Sequence, residues 1–109
     1  MKITHQNLLN LYFRKAWLEY KSGNKNPNPF HIWLRKLKKR LKETFTKEDQ
    51  WYWDILFEVN MRNKTLADIL QEESKIDPDK EKWIRQQVEG GALSERKILT
   101  YGKMLGKQK

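Results

Sequence analysis

The segment from Thr46 to Arg62 is the most apolar part of an otherwise polar chain of 109 residues. In a strand, alternate apolar side chains would share one face: Trp51, Trp53, Ile55, Phe57 and Val59. In a helix, steps of three and four residues would gather the polar side chains into one narrow stripe: Lys47, Gln50, Asp54, Glu58 and Arg62. The helix accounts for the polar positions as well as the apolar ones. The pattern therefore favours a helix over about residues 47–62.

This helix has a start signal, and its composition constrains the rest of the fold. The Thr46 side chain can accept a hydrogen bond from the backbone three positions on, where Asp49 supplies the acid of a capping box. A helix that is apolar around most of its circumference has to be covered by other elements. We therefore predict an all-α fold, a compact bundle of five or six short helices around this central one.

Capping and breaking residues delimit the covering helices within a single domain, residues 1–109. Five are predicted: from Thr4 or Asn7 to about Lys21, from Pro29 to about Glu43, from Thr65 to about Glu73, from Pro78 to Glu89 and from Ser94 to Leu105. Residues 22–29 are predicted to form a loop because they are rich in proline, glycine and asparagine. Residues 74–76 are expected to connect two helices, and residues 106–109 to form a frayed tail.

The second helix carries the strongest candidate site. Its apolar side chains recur at helical spacing: Phe30, Trp33, Leu34, Leu37 and Leu41. The opposite face is a row of cations: Arg35, Lys36, Lys38, Lys39, Arg40 and Lys42. Several cations on one rigid surface suit contact with phosphate groups, which gives salt-sensitive binding with little sequence dependence. If the first helix lies alongside, further cations extend this surface: Arg14, Lys15, Lys21 and Lys25.

Other interpretations of this helix stay open. The cationic face could have no binding role and simply keep the protein soluble. A basic helix with Phe30, Trp33 and leucines opposite is also typical of a membrane-surface or calmodulin-target helix. That interpretation is weaker, because a folded domain needs the apolar stripe for its own core.

The net charge of +9 is unevenly distributed and points to an acidic partner. Residues 1–63 carry 13 Lys and Arg against 6 Asp and Glu, whereas residues 64–109 carry 10 against 8. The partner classes that fit are nucleic acid, DNA or RNA, and an acidic protein surface. No segment approaches the ~20 apolar residues of a membrane span. The absence of cysteine leaves the compartment open, with the cytoplasm as the default expectation.

Catalytic chemistry finds little support in the sequence. Asp54 and Glu58 lie one helical turn apart and could pair for acid–base work, but ion pairs with Lys47 and Arg62 of the same stripe, or with basic residues of the second helix, explain them more simply. His5 and His31 have no partner at metal-ligand spacing. There is no glycine-rich phosphate loop. We expect a protein that is not an enzyme and that has no cofactor and no metal.

The sequence thus favours a non-enzymatic nucleic-acid-binding protein that contacts the phosphate backbone through a basic helix face. The alternative is a small protein-interaction module, an inhibitor or adaptor of the kind found among phage regulators, that docks its basic face on an acidic protein. A third possibility is a subunit of a larger assembly in which aromatic residues such as Trp17 or Trp53 are buried at an interface.

Overall fold

Five α-helices follow one another in the computed structural model, which describes residues 5–24 and 28–94. They are α1 (His5–Lys21), α2 (Pro29–Leu41), α3 (Lys47–Met61), α4 (Leu66–Ile76) and α5 (Pro78–Glu89), with a short 3-10 turn at Lys42–Thr44 between α2 and α3. No strand occurs in the described ranges. The all-α prediction is confirmed. The expected sixth helix over 94–105 and the tail at 106–109 lie beyond the described residues, as do Thr4 and Lys25.

Side-chain caps start four of these helices where the sequence predicts them. Thr46 and Asp49 form a capping box at the start of α3, with hydrogen bonds of 3.2 and 3.0 Å between each side chain and the other residue's backbone N–H. Thr65 and Asp68 repeat this arrangement at α4. Asn28 caps α2 and Asp77 caps α5, and each is followed by proline at the first helical position.

Helix α3 is the centre of the core, as its apolar circumference requires. Ile55, Leu56 and Val59 are almost completely buried. Side chains from three other helices contact α3 rings at 5.3–5.7 Å between centroids: Phe13 of α1 on Trp53, Phe30 of α2 on Phe57, and Trp83 of α5 on Trp51. Helix α4 packs against α3 as well. The prediction of a covered central helix is confirmed.

Trp17 and Trp53 belong to this core. Their residues are only 7% and 3% exposed within the single chain. The expectation that one of them is buried at a subunit interface is therefore wrong for both. Each ring already packs inside the chain, so neither remains as a surface for a second subunit.

The connection between α4 and α5 is shorter than the sequence predicts. Residues 74–76 belong to α4, which continues to Ile76 although the Ile76 side chain is 76% exposed. Asp77 alone joins the two helices, because its backbone N–H donates to the Glu73 carbonyl while its carboxylate accepts from the Lys80 N–H. One residue thus serves as the C-cap of α4 and the N-cap of α5.

The end of α2 also differs from the expectation. The helix stops at Leu41 because Lys42 has a φ of +52° and a ψ of −127°, a conformation that favours glycine. After the 3-10 turn the chain enters α3 in a new direction. Helix α2 packs mainly against α1, and the two form the most extensive helix pair in the described structure.

Replacing Lys42 with glycine is expected to stabilise the protein by about 1 kcal/mol, because glycine adopts this backbone conformation without a Cβ clash. Urea unfolding followed by tryptophan fluorescence measures the change. Lys42→Ala is the matched control, since it removes the same charge but keeps a Cβ. Equal stability of the two variants would show that the backbone at residue 42 is not strained.

Candidate nucleic-acid interface

The cations that the sequence singles out, five on α2 and Lys42 on the 3-10 turn, are all exposed to solvent. The exposed set is Arg35, Lys36, Lys38, Lys39, Arg40 and Lys42. None of them forms a salt bridge with a carboxylate of residues 5–24 or 28–94. The described acidic side chains that form ion pairs do so with cations outside α2. The positive charge on α2 is therefore not neutralised by the described part of the protein.

Helix α1 lies alongside α2, and Trp33 joins their cations. The Lys36 Nζ lies 4.2 Å from the centroid of the Trp33 ring, and the Lys15 Nζ of α1 lies 5.6 Å from it. Both lie at distances typical of cation–π interactions. The Trp33 Nε1 donates a 2.8 Å hydrogen bond to the Glu19 carboxylate, which fixes the ring between the two helices. Lys15 and Lys36 therefore belong to one continuous basic surface.

Tyr12 makes a second link between the two helices. Its hydroxyl accepts a 3.3 Å hydrogen bond from the Arg40 guanidinium, and its ring contacts Trp33 edge to face at 5.8 Å. These contacts hold Arg40 on the α1 side of α2. Arg14 and Lys21 of α1 are exposed too, and the Lys21 Nζ lies 5.5 Å from the Trp17 ring.

The other flank of α2 carries a shallow hollow of about 160 Å³, lined by His31, Leu34, Arg35 and Lys38. The Arg35 guanidinium lies 3.2 Å from the His31 Nε2, and the Lys38 Nζ lies 5.4 Å from the Phe45 ring. The structure thus brings His31 into the basic surface. Phe45 is a neighbour that the sequence did not indicate, because it reaches this flank only through the 3-10 turn.

Aromatic side chains on this surface are not available as stacking platforms. Every aromatic residue in the described ranges is buried or half-buried. The Trp33 ring, the most prominent one beside the cations, already contacts Lys36, Lys15 and Tyr12. Single-strand binding by base stacking needs free ring faces. The surface is therefore better suited to phosphates than to bases.

The carboxylates of α3 that could serve as an acid–base pair are held by cations. Glu58 pairs with Arg62 and Lys64, both at 3.4 Å. Asp54 accepts a 3.0 Å hydrogen bond from the Gln50 amide and lies 3.9 Å from the Lys80 Nζ of α5. The predicted Glu58–Arg62 pair is confirmed.

The predicted partners of Asp54 are wrong, because neither Lys47 nor a cation of α2 forms a salt bridge with it in the described structure. The Lys47 Nζ lies 5.5 Å from the Trp51 ring and forms no salt bridge with a described carboxylate. The long lysine side chain follows the aromatic surface of its own helix, and Lys80 approaches Asp54 from α5 instead.

His5 contacts a carboxylate of the core and lies outside the basic surface. The His5 Nδ1 is 2.9 Å from the Asp49 carboxylate and ties the start of α1 to the start of α3.

Across residues 5–24 and 28–94, no three His, Asp or Glu side chains are grouped so that they could hold a metal ion. None of the described helices has the length and apolar character needed to cross a membrane.

Comparisons with protein-family models, curated proteins and solved structures give no match to this chain. The functional argument therefore depends on the geometry of the basic surface.

Burial raises the pKa of Asp54 above its ordinary value of 3.8, against the opposing effects of the Gln50 hydrogen bond and Lys80. A carboxyl with a raised folded pKa lowers stability as the pH rises through the window that begins near 3.8. Asp54→Asn is thus expected to be slightly more stable than the wild type at pH 7, with the difference vanishing below pH 3.8. Urea unfolding across this range measures it. A variant that is less stable at pH 7 would show that the Lys80 contact outweighs burial.

Proposed function

We propose that this protein is a non-enzymatic nucleic-acid-binding protein that contacts the phosphate backbone with the basic surface of α2 and α1. The proposed contacts are Arg35, Lys36, Lys38, Lys39, Arg40 and Lys42 of α2 and its 3-10 turn, with Arg14, Lys15 and Lys21 extending the surface. Lys25, the remaining cation of the prediction, lies outside the described residues. The single observation that carries the proposal is the row of exposed α2 cations without counter-ions among residues 5–24 and 28–94. A cytoplasmic location fits this role.

The arrangement of cations around α2 suits a duplex. At 100° per residue, Arg35 and Lys38 lie on one flank of the helix, Lys36 and Arg40 lie on the other, and Lys39 lies between them. An α-helix fits the major groove of B-form DNA, so cations on both flanks could reach the phosphates of both strands. The half-buried rings offer little to single-stranded bases. Duplex DNA is accordingly the preferred ligand of this proposal.

Charge reversal at Lys36 and Lys39 is expected to weaken binding to duplex DNA and to flatten its salt dependence. Each lost phosphate contact reduces the slope of log K against log salt by about 1. The double variant Lys36→Glu/Lys39→Glu should therefore have a slope about 2 smaller than that of the wild type. Fluorescence anisotropy of a labelled duplex, titrated at several KCl concentrations, gives both values.

Lys75→Glu/Lys82→Glu is the matched control, because both lysines are exposed, lie on α4 and α5, and change the net charge by the same amount. It should retain most of the binding. Equal loss in both double variants would reduce the effect to net charge alone. If the wild type binds neither duplex nor single strands at low salt, the proposal is wrong.

A second candidate, docking on an acidic protein, is favoured by one observation. Leu11 and Leu18 of α1 are 42% and 48% exposed and lie on the same face as Arg14 and Lys15 at helical spacing. A phosphate backbone offers no apolar surface that these two leucines could contact, whereas an acidic protein surface with apolar residues would cover them. This would make the chain an inhibitor or adaptor.

Capture from a nuclease-treated lysate tells these candidates apart. If a protein partner stays bound after nuclease treatment and is lost in Leu11→Ser/Leu18→Ser, the interaction module is favoured. If retained material disappears with nuclease, and the leucine variant still binds duplex DNA normally, nucleic acid is the ligand.

A further inference from the structure

A cleft of about 350 Å³ lies between α2, α3, α4 and α5. Its apolar walls come from three helices: Phe30 and Leu34 of α2, Trp53 and Phe57 of α3, and Ile69 of α4. Pockets that bind small organic molecules have volumes of about 300–1,000 Å³, and the polar side chains that complete the lining of this cleft are mostly charged. The cleft therefore has the size and the lining for a small ligand.

The polar groups of the cleft have an excess of negative charge, in contrast to the rest of this basic protein. Four carboxylates lie on its walls: Asp54, Glu58, Glu72 and Glu73. Three cations pair with them. Lys80 bridges Glu73 and Asp54, Lys64 bridges Glu58 and Glu72, and Arg62 contacts Glu58. Among the described residues, one negative charge of the cleft thus remains without a cation of its own.

Two of the carboxylates are weakly satisfied by these partners. The Oε2 of Glu58 is buried and accepts no hydrogen bond from a described residue, and its contact with the Arg62 Nε is 3.4 Å long. Asp54 reaches Lys80 only at 3.9 Å, whereas the same ammonium lies 3.2 Å from Glu73. Because these two residues are one turn apart on α3, a single additional donor between them would improve both.

We propose that this cleft binds a small organic monocation with an apolar body, its ammonium group between Asp54 and Glu58 and its body against Phe30, Leu34 and Phe57. The charge balance selects a cation over an anion, and the surplus of one selects a single charge. The walls select an aromatic or branched alkyl body over a bare ammonium ion. This site adjoins the basic surface, with which it shares His31 and Leu34 on its walls, and the proposal does not depend on nucleic-acid binding.

The probe for this site is 2-phenylethylammonium chloride, with 2-phenylethanol and 3-phenylpropionate as neutral and anionic analogues of similar size. Titrations followed by proton–nitrogen correlation NMR report both affinity and location. For a ligand of this size, saturable binding with a roughly millimolar Kd is expected. The shifts should centre on residues 53–58 and on the first turn of α2. The alcohol should bind more weakly, and the carboxylate should not saturate.

Asp54→Asn and Glu58→Gln are each expected to weaken binding of the ammonium probe about tenfold, the usual effect of losing a hydrogen bond to a charged group. Glu43→Gln is the matched control, because Glu43 is exposed on the 3-10 turn and does not line the cleft. If Glu58→Gln fails to fold through loss of its ion pairs, Asp54→Asn decides the question alone.

Three results would each overturn the proposal: no saturable shifts with the ammonium probe, equal affinity for the alcohol or the carboxylate, or unchanged affinity in Asp54→Asn. Lys36→Glu/Lys39→Glu separates the two sites. It should bind the ammonium probe normally while its affinity for duplex DNA falls. Loss of ammonium binding in that variant would contradict the independence of the cleft.

Discussion

The need to cover α3 determines how every other helix is oriented. Leu56 is completely buried, and rings from α1, α2 and α5 close on the tryptophans and phenylalanine of α3 from different directions. Each covering helix must turn its apolar stripe inward, so its polar residues have to lie on the outside. For α2 the outside consists almost wholly of cations. The basic surface is therefore a consequence of core packing combined with the residues available at positions 35–42.

Several carboxylates of α3 and α4 have counter-ions within the described structure, whereas the cations of α2 do not. Glu58, Glu72 and Glu73 pair with lysines of neighbouring elements. The cations of α2 form no salt bridge with a described carboxylate and repel one another at helical spacing. That repulsion costs stability, and burial of Phe30 and Leu37 offsets it. A polyanion would remove the repulsion when it binds.

Local signals in the sequence were sufficient to place most helix boundaries. Thr46 with Asp49 and Thr65 with Asp68 act within four residues, so their capping boxes follow from spacing alone. The positive φ of Lys42 and the double role of Asp77 could not be predicted in this way, because lysine gives no sign of a glycine-like conformation and one residue rarely caps two helices. The Lys80–Asp54 contact and the cleft depend on how α5 packs across α3, which no local pattern encodes.

Trp33 shows why an aromatic-rich composition is a poor guide to binding in this chain. Its sequence position beside lysines is what a base-stacking surface would have, yet its indole N–H is bound to Glu19 and its ring interacts with Lys15 and Lys36. The ring holds two lysines of different helices on one surface, and the carboxylate fixes the ring. The aromatic residue therefore acts by positioning cations, and any polyanion that approaches would meet the ammonium groups before the ring.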